Sequence, residues 1–244
     1  MEDTAGLQAE VAAAAERFAA AAAGLTDADV PAPVRLPGWT RGHVVAHVAA
    51  AADAYVRLLR GARGVAAPGP APESDRGPAG AVGAPAAELA AHVRRALDGF
   101  GREARAMPQR AWAVPVTALA GYRHPAWFLL RRCQRELETH LVDLDVGYGT
   151  ADWPAGYVGW ALDGTVAALR ARGFAVRAVA ATDLGRRWEL TPGGSPGPVV
   201  TGRGHALLGW LSGRAGTDGL VVEPAGGVPP VPPPWPQAPV PGWG

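Results

Sequence analysis

Leu7, Val11, Ala14 and Phe18 fall on one face of an Ala-rich segment, and their spacing predicts a helix over 3–25. A loop with Pro31, Pro33 and Pro37 follows. Thr40 then stands as the N-cap of a helix of about 22 residues. Its apolar stripe is Val44, His47/Val48, Ala51, Tyr55 and Leu58/Leu59. The stretch 61–84 is rich in Gly, Pro and Ala with few apolar anchors, and reads as a surface loop. Leu89, His92, Val93, Leu97 and Phe100 mark a third helix over 85–107. A connection through Trp112 and Val116 leads to a fourth, over 124–146, with Leu130, Cys133, Leu137, Leu141 and Leu144 as its seam. Glu136, His140 and Asp143 form an adjacent stripe, about 100° round that helix. Four such helices joined by non-repeating loops predict a bundle over 1–150.

Beyond Trp153 the pattern changes. A helix over Tyr157–Arg172 precedes three strand-like segments, Phe174–Thr182, Arg187–Thr191 and Pro198–Thr201. A helix near 203–213 and a short strand at Leu220–Glu223 complete a small α+β domain over 151–230. Residues 231–244 are a Pro/Gly-rich tail unsuited to regular structure. The fold class expected is therefore mainly α, a four-helix bundle followed by a smaller α+β domain.

Composition removes several functional classes. A net charge of +1 builds no field for nucleic acid or an anionic membrane. The Ala-rich stretches are interrupted by Glu, Arg, His or Asp, so none is a membrane span. All 23 basic residues are arginines, which excludes lysine Schiff-base chemistry and leaves guanidinium or backbone donors for any anion. Cys133, the single cysteine, rules out an internal disulfide, a Cys-rich zinc site and the His-x-x-x-Cys-x-x-Cys pattern of zinc anti-sigma factors. Within its helix it reads as a core thiol rather than a nucleophile. The N-terminus lacks a basic region followed by an apolar core, so the expected compartment is the cytoplasm.

The candidate chemistry lies in two separated segments. Glu136 and His140 stand at i,i+4, leaving one helix face a turn apart, and His47 sits on the apolar stripe of another helix. Either signal alone is common on ordinary helices. Together, two imidazoles and a carboxylate are a usual zinc set, with a fourth position open for water or substrate. His43, one turn before His47, reads as a catalytic or substrate contact rather than a fourth ligand, which would close the site. Asp143 can orient an imidazole or position an arginine. Trp39 reads as an apolar anchor before the second helix, and His92, His124 and His205 as structural or surface residues.

These segments carry a family resemblance. Leu36-Pro-Gly-Trp-Thr-Arg-Gly-His-Val-Val-Ala-His47 resembles the first signature of mycothiol-dependent maleylpyruvate isomerases, in the DinB-like metal-dependent superfamily. Arg135-Glu-Leu-Glu-Thr-His-Leu-Val-Asp-Leu144 is similar to the second. The stretch Val200–Arg214 and the Pro-Pro-Pro-Trp235 ending resemble the family's C-terminal domain. One departure is His140-Leu141, where many relatives carry two consecutive histidines.

The resemblance implies a DinB-like four-helix bundle holding zinc, or another divalent metal, on His47, Glu136 and His140. It also implies mycothiol, the small thiol of actinobacteria, as cosubstrate, and isomerisation of maleylpyruvate, or a similar cis-enone diacid, to the trans form. Arg214 is the match for an arginine that matters in the family, as a catalytic and cofactor-binding residue, with Arg203 and Arg135 behind it. The implied partners are a small thiol and an anionic small molecule, on a monomer or small homo-oligomer. A thiol S-transferase acting on electrophiles is the second reading. A binding module with a vestigial metal site is the third.

Overall fold

The computed structural model describes residues 3–65, 83–117, 123–191, 197–225 and 227–234. The chain forms two compact units, Met1–Gly147 and Tyr148–Gly244. The fold is mainly α, a four-helix bundle with a smaller α+β unit after it.

The bundle contains α1 (Thr4–Ala23), α2 (Arg41–Ala62), α3 (Ala86–Arg105) and α4 (Phe128–Asp143). α1 packs on α3 and α4, while α2 packs on α3 and α4. Phe18, Val44, Leu59, Val93, Phe100, Leu130 and Leu137 fill the interior, so the helical stripes read from the sequence are the faces that meet. In α2 the stripe runs through Ala52, which is buried, rather than Ala51. α2 runs two residues into the predicted loop 61–84 and α3 begins just after it at Ala86, while residues 66–82 of the loop lie outside the described residues.

The fourth helix differs from expectation at its start. Pro115–Thr117 (β1) and Arg123–Pro125 (β2) form an antiparallel hairpin, with Val116 opposite His124. Pro125 explains the difference: it drives the residue before it toward extended backbone and donates no hydrogen bond. His124 is therefore a strand residue, and α4 begins only at Phe128.

In the second unit, α5 (Ala155–Ala171) precedes β3 (Ala178–Ala181) and β4 (Arg186–Glu189). These are followed by β5 (Val199–Gly202), α6 (Gly204–Leu211) and β6 (Val221–Glu223). The sheet order is β4-β3-β5-β6, with β3 and β5 parallel and the other pairs antiparallel. Val179, Val200, Leu162, Leu169, Leu207 and Leu211 form its core. The strand expected from Phe174 begins later, because Gly173 turns the chain through a left-handed conformation at φ 66°. Residues 227–234 have no regular structure, and 235–244 of the expected tail lie outside the described residues. Among the described residues, no helix is long and apolar enough to cross a membrane.

Candidate metal centre

The first sequence motif builds the start of α2. Gly38 adopts a left-handed φ of 78°, a conformation that favours glycine. Thr40 Oγ1 accepts from the His43 N–H at 3.4 Å, while the Thr40 N–H donates to His43 Nδ1 at 3.0 Å. This reciprocal cap puts an imidazole where Glu or Gln ordinarily closes the box. Gly42 lets the helix approach the preceding loop: a Cβ there would stand 2.7 Å from Val30 Cγ1. Arg41 ties this end of α2 to the far end of α4. Its Nε donates to the Leu144 carbonyl at 2.8 Å and its Nη2 to the Asp145 carbonyl at 2.9 Å. Its Nη1 pairs with Asp29 at 3.1 Å.

With the helices joined in that register, His47 on α2 meets Glu136 and His140 on α4. His47 Nε2 lies 3.2 Å from Glu136 Oε2, and His140 Nε2 lies 3.3 Å from the same oxygen. One donor atom from each of the three falls within 4.8 Å of the others. Donors held 2.0–2.1 Å from a tetrahedral zinc are about 3.3 Å apart, so the spacing and the N,N,O chemistry both fit such an ion. The side chains are 35%, 16% and 11% exposed for His47, Glu136 and His140, which leaves the cluster open on the His47 side.

Two further groups hold the donors. Asp143 Oδ2 accepts from His140 Nδ1 at 2.9 Å, so His140 turns its Nε2 toward the cluster. The Tyr55 hydroxyl donates to Glu136 Oε1 at 3.3 Å, leaving Oε2 for the centre. Burial disfavours the charged form of Glu136, but hydrogen bonds and charge from His140 and His47 outweigh it. Its carboxyl is held well below the usual range. Burial likewise works against a charged His140, yet Asp143 and Glu136 together raise its pKa. Trp39 covers the imidazoles: its ring stacks on His140 at 6.3 Å and meets His47 edge-on at 5.3 Å.

His43 is not among the clustered donors. Its Nδ1 is engaged by Thr40, and it lines a cleft of about 470 Å³ with Asp27, Val30, Thr40 and Pro85. Its ring centroid is 6.4 Å from that of Trp39, which stands beside both His47 and His140. Arg203 and Arg214 belong to the second unit. Arg203 is exposed, with its Nε 3.6 Å from Asp183. Arg214 is buried and donates from Nη1 to the Ser212 carbonyl at 3.2 Å. Arg135 is a half-buried residue of α4. Cys133 is buried, and burial together with the charge of Glu136 pushes its thiol far up and removes it as a nucleophile. His92 pairs with Asp53 at 3.3 Å across α2 and α3.

Sequence reasoning overlooked Tyr55 and Arg41 as contributors. Tyr55 follows His47 by eight residues, about two turns, on the same face, and that spacing was the available signal. Arg41 sits at the N1 position of α2, where nothing local marks a guanidinium that reaches across the bundle.

Residues 11–145 match the model of the mycothiol maleylpyruvate isomerase N-terminal domain. A crystal structure of the mycothiol-dependent maleylpyruvate isomerase aligns with a TM-score of 0.84 at 23% identity, covering 96% of this chain and 98% of that one. A histidine-to-alanine mutant of that enzyme aligns with the same score and coverage at 22% identity. At these identities the likeness establishes the fold. No curated protein matches the chain. The family match spans most of the bundle, including all three clustered donors: the chain belongs to the mycothiol maleylpyruvate isomerase N-terminal domain family.

Proposed function

We propose that this protein is a zinc- and mycothiol-dependent cis–trans isomerase acting on maleylpyruvate or a similar cis-enone diacid. The observation that carries the proposal is the shared approach of His47 Nε2 and His140 Nε2 to Glu136 Oε2, with spacing suited to one tetrahedral ion. When bound, zinc supplies a Lewis acid at which a thiol sheds its proton at neutral pH.

The protein's own groups prepare for that role. Asp143 fixes His140 with Nδ1 occupied and Nε2 presented. Tyr55 secures one carboxylate oxygen of Glu136 and leaves the other available. Trp39 lies against both imidazoles and limits water on that side. The exposed flank at His47 is the approach for small molecules. His43, next to Trp39, is the candidate substrate contact. Arg214 carries over from the family resemblance as a candidate anchor for anionic groups, and the bidentate geometry of guanidinium adds Arg203 behind it.

The cosubstrate thiolate adds to one alkene carbon, and the alkene electron pair moves onto the neighbouring ketone oxygen. Rotation about the resulting single bond follows. Return of the pair expels the thiolate and leaves the trans alkene, with no net redox change. The buried Cys133 is not needed.

The test combines metal analysis with turnover. Purified protein should carry one zinc per chain, lost in His47→Ala, and should isomerise maleylpyruvate only when mycothiol is added. Conjugates of mycothiol with electrophiles, formed without isomerisation, would establish the S-transferase instead. Equal zinc in wild type and His47→Ala would refute the site.

A further inference from the structure

Arg132 lies on α4 one helical turn before Glu136 and is 8% exposed. Its guanidinium carbon stands 5.7 Å from the centroid of the Tyr55 ring, and the Tyr55 hydroxyl in turn donates to Glu136. Residues four apart on a helix place their Cβ atoms about 5–6 Å apart, so Arg132 and Glu136 leave adjacent positions on one face. Arg132 Nε and Nη1 are shut off from solvent and make no hydrogen bond among the described residues. A guanidinium buried this far ordinarily has a carboxylate, because taking the charge out of water is costly without one. The Tyr55 face replaces only part of that loss.

A second idle polar atom lies in the same region. His124 Nδ1 is 3.0 Å from the Pro125 carbonyl, whereas its buried Nε2 has no partner among the described residues. The His124 ring packs edge-on against Phe128, one turn before Arg132, at 5.0 Å. Burial first, and the positive charge of Arg132 as a smaller influence, lower the His124 pKa. Unpaired buried polar atoms, here the donors of Arg132 and the acceptor nitrogen of His124, mark a place in a native fold where a solvent molecule or ligand belongs.

We propose that Arg132 is the anion-binding residue of the bundle and takes a carboxylate of a small ligand lodged beside Tyr55 and Glu136. Arginine suits this role because its planar fork meets both carboxylate oxygens. The assignment rests on the isomerase reading only in placing the other end of that ligand at His47, Glu136 and His140. The carboxylate subsite itself rests on Arg132.

Maleate, with neutral maleamide as control, tests it by calorimetry and thermal melting of the full chain. Maleate should bind wild type and His47→Ala saturably, and maleamide at least tenfold more weakly. Arg132→Met should weaken maleate at least tenfold in both backgrounds, melt no lower than wild type without ligand, and lose the upward melting shift that maleate gives wild type. Should that variant fail to fold, Arg132→Gln is held to the same tenfold criterion. Equal maleate affinity with and without Arg132 would overturn the proposal. So would binding that disappears in His47→Ala and ignores Arg132, since the metal would then hold the carboxylate. Maleylpyruvate turnover by wild type separates the two readings: its absence, with Arg132-dependent maleate binding intact, removes the isomerase and leaves the subsite.

Discussion

Arg41 donates from Nε to the carbonyl of Leu144 across 2.8 Å, joining the first residue of α2 to the residue that caps α4. The middle of the first signature motif therefore touches the end of the second, in addition to the approach of their donor residues. This contact sets how far α2 advances along α4, and with it the level at which His47 faces Glu136. Arg41→Met is expected to cost about 2 kcal/mol through the lost charged hydrogen bonds. It should also weaken zinc binding about tenfold through misplacement of His47. Urea unfolding and a zinc titration measure the two effects, and an unchanged midpoint with unchanged affinity would dismiss the clasp.

Asp143 is 1% exposed and engages His140 Nδ1 at 2.9 Å. Asp143→Asn keeps the shape while removing the charge, and the amide can present a nitrogen to the imidazole instead of an oxygen. Zinc affinity should fall 10–100-fold, on the order seen for outer partners of metal-binding histidines. The helical circular dichroism should persist. A variant with native zinc affinity would show that Asp143 does not act through His140.

Gly42 packs where a methyl group would meet Val30 Cγ1 at 2.7 Å and the Val30 carbonyl at 3.3 Å. Gly42→Ala should destabilise the protein by about 1–3 kcal/mol through overpacking. Adding Val30→Ala makes room, so the double variant should recover part of that loss rather than add to it. Additive losses in a double-mutant cycle would mean that the crowding lies elsewhere.

His124 supplies a pH dependence. Its pKa is lowered from 6.5, chiefly by burial, so below that pH the unfolded chain binds a proton that the folded chain refuses. Stability contains no such loss above about pH 6.5, falls as pH drops below it, and levels off beneath the folded value. His124→Asn should flatten this part of the stability curve. A slope equally steep in the variant would assign the effect to other groups.

Much of the bundle was legible because helix faces repeat at 3.6 residues. Leu7, Val11, Ala14 and Phe18 point to a face that is buried, and Thr40 is the cap its chemistry indicates. His47, Glu136 and His140 were legible as a set because helical spacing fixes which side chains share a face. The β1–β2 hairpin was not, since strands of three residues leave no alternation to detect, and Pro115 and Pro125 obscure what remains. Tyr55 passed for a core aromatic because its ring is one, meeting Phe100 edge-on, while only its hydroxyl reaches Glu136. Arg41 and Arg132 act through distances that no local pattern encodes.

The donors also differ in when they can assemble. Glu136 and His140 belong to one turn of α4 and come together as soon as that helix forms, whereas His47 is 89 residues from Glu136. Closing a chain segment of that length carries an entropic penalty that a local pair avoids. An ion present during refolding therefore meets a two-donor half-site first and gains its third donor only when α2 docks. Tight metal capture at the proposed site should consequently appear late in refolding, together with native packing rather than with helix formation, so that its onset reports assembly of the bundle.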